Sequence, residues 1–356
     1  MKFTCNKNDL LNSVTISMRG IPNRTTMPIL ECLRIMASGD VIRFNSTDTE
    51  ISVENTLFGE VEENGAICVE AKLFSEIVKK LPDGTVTFST KDTTATIKCG
   101  KSKFTLNTKD ADAFPSFDNI DRSKVLKLTQ ESLKELISQT IFSVAVSNAN
   151  KLMTGVHFKV SDNKLTVTAL DGHRVAIREW QALTDDIEFI IPSKTLLELS
   201  KVLSEGDIDL YITDTSVLFE FGDTGFQSRL LDGTFFDVQK LLSDNFTSTV
   251  RVDRKALIDS LDRSTLLIRE NDRKPVILDI SDVLKVQIDT PLGSMNEEME
   301  IEITGDQLTI GLNPKFMLEA LRAIGDSEVT LYFINEKSPC YIKGDGYIYM
   351  ILPVKY

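Results

Sequence analysis

The sequence predicts an α+β protein of three tandem similar domains, and this prediction rests on one helical segment that occurs three times. The copies are AKLFSEIVKKL (71–81), SKTLLELSKVL (193–203) and PKFMLEALRAI (314–324). Each places a cation, then an acid four residues later, then a second cation three residues further on. The copies start 122 and 121 residues apart, a period too long for a solenoid repeat, so each copy indicates one domain.

The other elements recur at nearly the same interval. A short strand leads into a first amphipathic helix near the start of each domain, at 3–18, 126–141 and 250–265. After the second helix come a turn, an alternating strand and a hairpin glycine, at Gly100, Gly222 and Gly344. We therefore expect two helices packed on antiparallel sheet in each of three domains, at 1–120, 121–246 and 247–356.

The repeated helix is expected to carry its charges on one face. In the first copy the spacing places Lys72, Glu76 and Lys79 on a single polar stripe. The apolar face opposite is predicted to consist of Leu73, Phe74, Ile77, Val78 and Leu81. A single helix of this kind is most simply a solvated face, whose charge pairs contribute about 0.2 to 0.5 kcal/mol each.

Three copies favour a functional interpretation, because a chain with a formal net charge of −13 repeats cations at matching positions. Helices that line one common surface would give it a potential opposite to that of the rest of the molecule. Such a surface suits a sugar-phosphate backbone that is held loosely and read without base contacts. The candidate DNA-facing cations are Lys72, Lys79, Lys80, Lys194, Lys201, Lys315 and Arg322.

Composition and cysteine spacing indicate the compartment and exclude some chemistry. No apolar run reaches the roughly 18 to 20 residues that a membrane helix needs, and the N-terminus lacks a signal-peptide pattern. We therefore expect a cytoplasmic protein without a membrane partner. The five cysteines are scattered and form no C-x-x-C pair, so we expect reduced, buried thiols, no metal site and no cofactor.

Catalytic motifs are absent from the sequence. It has no nucleophile elbow, phosphate-binding loop, dinucleotide fingerprint or zinc-binding helix motif. His157 lies in an alternating strand, where a satisfied imidazole is the simpler explanation. His173 lies in LDGHRVA (170–176), so an enzyme that uses Asp171, His173 and Arg174 as an acid-base cluster stays an alternative. A static three-domain scaffold that never touches DNA is a second alternative.

Two motifs add a family resemblance to these observations. The three similar domains, LDGHRVA in the middle domain and the terminal YIYMILPVKY (347–356) closely resemble the bacterial sliding clamps, the DNA polymerase III beta-subunit family. LDGHRVA matches the family's T-D-G-H-R-L segment, and LPVKY matches its terminal hydrophobic-Pro-hydrophobic-basic motif. The resemblance implies the DNA clamp fold and a processivity factor without catalytic activity. It also implies a head-to-tail homodimer, closed into a six-domain ring that encircles duplex DNA.

The resemblance implies three sets of site residues. Arg24 matches a DNA-contacting position in the loop before MPIL (27–30). The dimer interface is expected at Lys101, Lys103 and Phe104 on one side and Leu266, Leu267, Glu297 and Glu298 on the other. A hydrophobic groove for short peptides is expected at Leu152, Met153, Leu170, Gly172, His173, Arg174, Val175, Ser243, Met350, Leu352, Pro353 and Val354.

The groove implies partners that carry short peptide motifs, namely the replicative DNA polymerase, the clamp loader and repair proteins. Exposed aliphatic side chains with a methionine make an adaptable surface for several partners. At three positions this chain departs from the family, with Ser243 for a common Pro, Leu170 for Thr and Leu152 for Tyr. We therefore expect a recognisable pocket of altered shape.

Overall fold

The fold comes from a computed structural model, in which the residues described are 1–147, 150–269 and 274–356. These residues form six α-helices, two in each sequence repeat. The helices are α1 (Lys7–Ser17), α2 (Ala71–Lys80), α3 (Gln130–Ser138), α4 (Ser193–Ser200), α5 (Arg254–Thr265) and α6 (Pro314–Arg322). Within the described part of the chain, no helix is long and apolar enough to cross a membrane.

In each repeat, strands precede, separate and follow the two helices in the chain order that the sequence predicts. The first repeat contributes β1 (Lys2–Asn6), β2 (Cys32–Ser38), β3 (Val41–Thr47), β4 (Ile51–Phe58), β5 (Glu60–Glu63), β6 (Gly65–Glu70), β7 (Thr85–Lys91), β8 (Thr94–Cys99) and β9 (Ser102–Lys109). The second contributes β10 (Val125–Thr129), β11 (Gly155–Ser161), β12 (Lys164–Leu170), β13 (Arg174–Gln181), β14 (Ile187–Pro192), β15 (Asp207–Ile212), β16 (Ser216–Phe221) and β17 (Thr224–Arg229). The third contributes β18 (Ser248–Asp253), β19 (Val276–Ile280), β20 (Val283–Thr290), β21 (Gly293–Glu300), β22 (Glu302–Gly305), β23 (Leu308–Leu312), β24 (Glu328–Phe333), β25 (Cys340–Gly344) and β26 (Tyr347–Ile351).

The chain folds into two compact units. The first consists of Met1–Leu133 and Lys194–Leu230. Its thirteen strands form one sheet in the order β10-β15-β16-β17-β4-β3-β2-β6-β9-β8-β7-β1-β5. The second unit consists of Lys134–Ser193 and Leu231–Tyr356. It holds a nine-stranded sheet, β14-β11-β12-β13-β26-β25-β24-β18-β22, and a four-stranded sheet, β21-β20-β19-β23.

Both large sheets continue from one sequence repeat into the next. In the first unit β17 pairs antiparallel with β4, with Phe226 opposite Val53. In the second unit β13 pairs antiparallel with β26, with Ala176 opposite Tyr349. The compact units therefore follow the sheets, whereas the boundaries at 120/121 and 246/247 follow the repeat and stay a prediction.

Helix α2 shows how the repeated segment folds. The Glu70 carboxylate caps its first turn by accepting from the backbone N–H groups of Lys72 at 3.1 Å and Leu73 at 2.6 Å. Phe74 is fully buried and meets Phe88 edge-on, with ring centroids 6.0 Å apart. Burial of such a ring contributes about 1.5 to 3 kcal/mol. Leu73, predicted on the apolar face, is instead 50% exposed. Residues three and seven positions apart share a helix face, so Leu73 lies on the side of the exposed Glu76 and Lys80.

A buried side-chain hydrogen bond crosses the junction between the first two repeats. The Asn55 amide on β4 donates to the Thr224 hydroxyl on β17 at 2.8 Å, and both residues are buried. A buried donor that loses its acceptor costs about 1 to 3 kcal/mol, so this pair ties the two strands together.

We expect Thr224→Val to lower the free energy of unfolding of the first unit by about 1 to 3 kcal/mol, because the Asn55 amide would stay buried without its acceptor. Urea denaturation of the full chain measures this change. The control is Thr85→Val at an exposed position of β7, which should change the free energy by less than about 0.5 kcal/mol. Equal effects from the two substitutions would contradict the assigned role of the hydrogen bond.

Candidate functional site

A polar cleft of about 550 Å³ in the first unit brings Arg24 together with two of the predicted helix cations. Its walls come from the loop around Arg24, the turn at Asp48 and the helix α4 region with Lys194 and Lys201. The Lys194 ammonium pairs with the Asp48 carboxylate. Arg24 and the repeated-helix residues Lys194 and Lys201 therefore line the same cleft, although more than 160 residues separate them in the chain.

Acidic side chains balance part of this charge. Glu198 accepts from Lys201 Nζ at 2.6 Å and pairs with Arg19 Nη1 at 3.3 Å. Arg19 also lines the cleft, and sequence reasoning missed it. The available signal was its position just after the first amphipathic helix and five residues before Arg24. Because the cleft carries charges of both signs, an anion would be held less tightly than at a purely basic site.

The three predicted cations of α2 are all exposed. Lys79 Nζ lies 2.8 Å from Glu76 Oε1, the pair that the stripe predicts. The hydrogen bond and charge of Lys79 lower the pKa of the Glu76 carboxyl, so this acid stays ionised. Lys72 and Lys79 line a shallow depression with Arg19, whereas Lys80 does not.

The α6 copy of the stripe departs from the predicted pattern. Lys315 is exposed, and Arg322 Nη2 lies 2.7 Å from Asp262 Oδ1 on α5. The Glu319 carboxylate pairs with Arg174. Repetition of sequence therefore did not impose repetition of ion pairs, because each helix meets different neighbours.

The predicted groove residues gather in the second unit around one turn. Asp171 Oδ1 accepts from the backbone N–H groups of His173 at 2.9 Å and Arg174 at 3.1 Å, which closes the turn between β12 and β13. Gly172 has a φ of +88°, a conformation that residues with a Cβ rarely adopt. The turn leaves His173 exposed and buries Val175 beside it.

A hydrophobic cluster underlies this turn. Leu170, Val175 and Met350 are buried, and Leu152 and Met153 pack against them while partly exposed. The cluster also contains side chains that the sequence did not indicate, namely Phe235, Val238 and Tyr341. Five of the eight predicted apolar groove residues thus share one cluster, although they come from three separate stretches of the chain.

The C-terminal residues contact the turn that contains His173. The backbone N–H of Leu352 donates to the His173 carbonyl at 2.9 Å, and that of Val354 donates to the Gly311 carbonyl at 2.8 Å. Pro353 between them is partly exposed, and Leu352 is 36% exposed. This segment therefore places an accessible leucine next to His173.

Ser243 lies outside the cluster, between two of its partly buried members, Leu242 and Phe246. Its carbonyl accepts from Lys343 Nζ at 3.1 Å, and its hydroxyl accepts from the backbone N–H of Asn245 at 3.2 Å. The hydroxyl thus serves a local turn.

Phe316 on α6 is a wall of the site that sequence reasoning missed. Its ring stacks on that of His173, with centroids 6.3 Å apart, and lies 4.2 Å from the Arg174 guanidinium carbon. The residue follows Lys315 in the repeated helix, and the charge pattern of that helix does not involve it. Only the fold brings α6 beside the turn, so the sequence carried no direct signal.

Four of the predicted interface residues lie on two strand edges, one in each unit: Lys103 and Phe104 on β9, and Glu297 and Glu298 on β21. In β9 only Thr108 and Lys109 pair with β6, so among the described strands nothing pairs with the same side of the Lys103–Phe104 stretch. Strand β21, which carries Glu297 and Glu298, is the end strand of the four-stranded sheet.

Each of these strands has an apolar and a charged face. Phe104 is 38% exposed and lies opposite buried Ile97, whereas Lys103 lies on the other face, opposite Lys98. On β21 Glu298 lies opposite Lys285, and Met299 lies opposite buried Leu284. Cross-strand partners share a face of the sheet, so Phe104 and Met299 lie on the core-facing side of their strands and Lys103 and Glu298 on the opposite side. Glu297 is an exception, because it lies opposite buried Val286 on the same side as Met299.

The remaining interface residues lie near β21. Leu266 is 79% exposed and Leu267 is partly buried, just beyond the end of α5. Glu297 is bound by Arg263, with both hydrogen bonds at 2.6 Å. This hydrogen bonding lowers the pKa of the Glu297 carboxyl. Glu297 is thus already paired within the chain, whereas Leu266 offers free apolar surface.

The contacts of Asp171 do not support the alternative acid-base cluster of Asp171, His173 and Arg174. Asp171 meets the backbone N–H of His173 and the Arg174 side chain through its two oxygens, so its carboxylate is engaged away from the imidazole. His157 is buried, with Nε2 2.9 Å from Glu188 Oε1 and its ring stacked on Phe235 at 4.5 Å. His157 is therefore a satisfied core imidazole, as the sequence predicted.

The cysteines are buried free thiols, as expected. Burial raises the pKa of Cys5 and Cys68 to about 12, so these thiols stay protonated near neutral pH. Across residues 1–147, 150–269 and 274–356, no group of three or more acidic, histidine or cysteine side chains could hold a metal ion.

Models of the DNA polymerase III beta subunit match the chain with their N-terminal domain at residues 1–118, their central domain at 127–237 and their C-terminal domain at 239–354. The chain therefore belongs to the DNA polymerase III beta-subunit family, the beta sliding clamps.

Individual relatives agree over their whole length. The beta sliding clamp of Bacillus subtilis is 34% identical, with all of both chains covered, and that of Staphylococcus aureus Mu50 is 33% identical, covering all of this chain and 99% of its own. A crystal structure of a putative DNA polymerase III beta subunit from Eubacterium rectale is 43% identical, with a TM-score of 0.95 over 100% of this chain and 99% of that one. The Bacillus subtilis clamp structure gives 0.96 at 34% identity over the same shares. The resemblance and the fold class predicted from sequence are thereby confirmed.

Burial lowers the pKa of His157 from its ordinary value of 6.5, and the hydrogen bond to Glu188 opposes that shift only in part. Because the folded state binds fewer protons than the unfolded chain, this residue's contribution to stability is present above pH 6.5 and is lost as pH falls toward the folded pKa. An NMR titration of the imidazole, assigned with a His157→Gln variant, should give a midpoint below 6.5. A midpoint above 6.5 would mean that Glu188 outweighs burial.

Proposed function

We propose that this chain is the sliding clamp of a bacterial DNA polymerase III, a homodimeric ring that encircles duplex DNA and confers processivity on the replicative polymerase. The match of all three domain models along nearly the full chain carries this proposal. The protein then acts as an accessory subunit in DNA replication, not as an enzyme. Its place of action is the cytoplasm. The engagement of Asp171 by backbone and arginine removes the basis for the acid-base alternative.

Encirclement explains how a chain with a net charge of −13 serves DNA. The candidate DNA-facing residues are Arg24, Lys72, Lys79, Lys80, Lys194, Lys201, Lys315 and Arg322. Several of these cations are paired with acids, as in Lys79 with Glu76 and Lys201 with Glu198. Phosphate contacts through such paired cations are weak and salt-sensitive, so the protein slides while the closed ring prevents its loss.

Topological retention has a direct test. The protein loaded on closed circular DNA by a clamp loader should stay bound through gel filtration in about 0.5 M salt, because screening weakens phosphate contacts but does not open a ring. Cutting the same circle once with a restriction enzyme should release it, since a ring slides off a free end. Equal loss from circular and linear DNA would contradict encirclement.

The two unpaired edges support the homodimer. Strand β9 of one copy, with Lys103 and with Lys101 just before it, would add antiparallel to β21 of its partner, with Glu298. The charges then meet on the outer faces. On the faces toward the cores, Phe104 would meet the apolar surface that includes exposed Leu266. Head-to-tail pairing uses both edges of each copy, so two copies close without leaving either edge free.

Phe104→Asp should raise the dimer dissociation constant at least about tenfold, because it replaces apolar contact with a carboxylate that must be desolvated. Sedimentation velocity over a concentration series measures that constant. Phe58→Asp makes the same change at a 59% exposed phenylalanine at the end of β4 and should leave the constant unchanged. A Phe104→Asp chain that dimerises like the Phe58→Asp chain would rule out β9 as the interface.

The hydrophobic cluster around His173 is the proposed site for partner peptides. We infer that short motifs of the replicative polymerase, the clamp loader and repair proteins bind there in turn. The accessible part includes Leu152, Met153, His173, Leu352 and Pro353, while Leu170, Val175 and Met350 lie beneath. Met153 and the leucines can repack around different anchors, which suits one site with several partners.

A further inference from the structure

The Arg174 side chain links the groove to helix α6. The guanidinium is largely buried, with its side chain 8% exposed. Nε donates to Asp171 Oδ2 at 3.1 Å, and the two terminal nitrogens donate to a Glu319 carboxylate oxygen and to the Phe142 carbonyl. The guanidinium also lies over the Phe316 ring. A buried guanidinium needs acceptors for its donors, so these contacts hold the side chain in one position.

The same contacts support the exposed rim of the groove at His173. Asp171 holds the backbone N–H of His173 through one oxygen and the Arg174 Nε through the other. The His173 ring stacks on Phe316, which in turn packs against the Arg174 guanidinium. Both side chains that hold His173 therefore contact Arg174. The Leu352 backbone N–H completes the rim by donating to the His173 carbonyl.

Glu319 supplies an outer counter-charge to Arg174. Its side chain is 48% exposed, and it lies on a different element from the turn. The acids at the matching helix positions of the other two repeats, Glu76 and Glu198, pair with a lysine three residues further along. Glu319 instead reaches across to the groove, so its contact is not part of the repeated helix pattern.

We propose that Glu319 is a positioning residue for the peptide groove: by holding Arg174, it fixes the rim at His173 without touching the peptide. The inference rests on the proposed function, in which the groove binds a peptide. The ion pair between Glu319 and Arg174 also connects the groove to α6, the helix that carries the candidate DNA-facing residues Lys315 and Arg322.

Glu319→Gln tests this role, because it removes the charge and keeps the shape and a neutral hydrogen bond. The dissociation constant of a fluorescein-labelled peptide from the replicative polymerase of the same organism, measured by anisotropy, should rise about five- to tenfold, since charge-assisted bonds are roughly twice as strong as neutral ones. The matched control is Glu76→Gln, the same change at the corresponding helix position of the first repeat, which should leave that constant unchanged.

A double-variant cycle separates positioning from general destabilisation. If Arg174 and Glu319 act through one contact, the peptide dissociation constant of the double variant Arg174→Lys/Glu319→Gln should not exceed that of the weaker-binding single variant. If the two residues act independently, the fold-increases of the two single variants should multiply. The thermal midpoint of Glu319→Gln should stay within about 2 °C of the unmodified protein, because the Glu319 side chain is half exposed and glutamine keeps a neutral hydrogen bond to the buried Arg174.

A dissociation constant for Glu319→Gln within twofold of the unmodified value, or a multiplied effect in the double variant, would overturn the positioning role. A loss of binding that accompanies a large fall in the thermal midpoint would overturn it as well. If the unmodified protein fails to bind the peptide, the proposed groove function itself is wrong, and the two failures are thereby distinguished.

Discussion

Backbone hydrogen bonding between strands of different repeats is the interaction on which the rest of this structure depends. Each sheet is antiparallel, and β17 on β4 and β13 on β26 continue the ladders across the sequence repeats. These continuous ladders give hydrogen-bond partners to backbone N–H and C=O groups that isolated repeats would leave unpaired at sheet edges. It also brings α4 cations beside the Arg24 loop and the C-terminal strand beside the His173 turn. Both candidate sites are consequences of strand pairing.

The distribution of charge matters more to this protein than its sum. The chain is acidic as a whole, yet its exposed cations recur on one helix of each repeat. Adjacent carboxylates weaken the local field without removing it. For a protein that must move along a polyanion, this balance is useful, because a strongly basic surface would bind phosphate too tightly to slide.

Periodicity in the sequence was sufficient to predict the fold class and the helices. The 121- to 122-residue repeat marked all six helices and the strands that flank them, because helical periodicity and strand alternation are local signals. The contacts between side chains of distant segments are not a local signal. Nothing in the sequence could indicate that Glu319 pairs with Arg174, or that Phe316 stacks on His173, since these contacts depend on how α6 packs beside a distant turn.

The peptide groove was likewise predictable from the sequence only in part. LDGHRVA and the terminal motif identified its two main segments through a family resemblance, and both meet in the structure at the hydrogen bond between Leu352 and His173. The contributions of Phe235, Val238 and Tyr341 were missed, because buried apolar residues look alike in sequence whether they lie under a site or in an ordinary core.

The division into two units has a consequence for synthesis on the ribosome. The first unit needs Lys194–Leu230 to complete its sheet, and 60 residues assigned to the second unit are translated before that segment. Strand β4 must therefore wait for β17 with one edge unpaired, and β13 must wait for β26 at the very end of the chain. Nascent chains of this protein thus keep strand edges unpaired until late in translation, and an unpaired edge can pair with another chain.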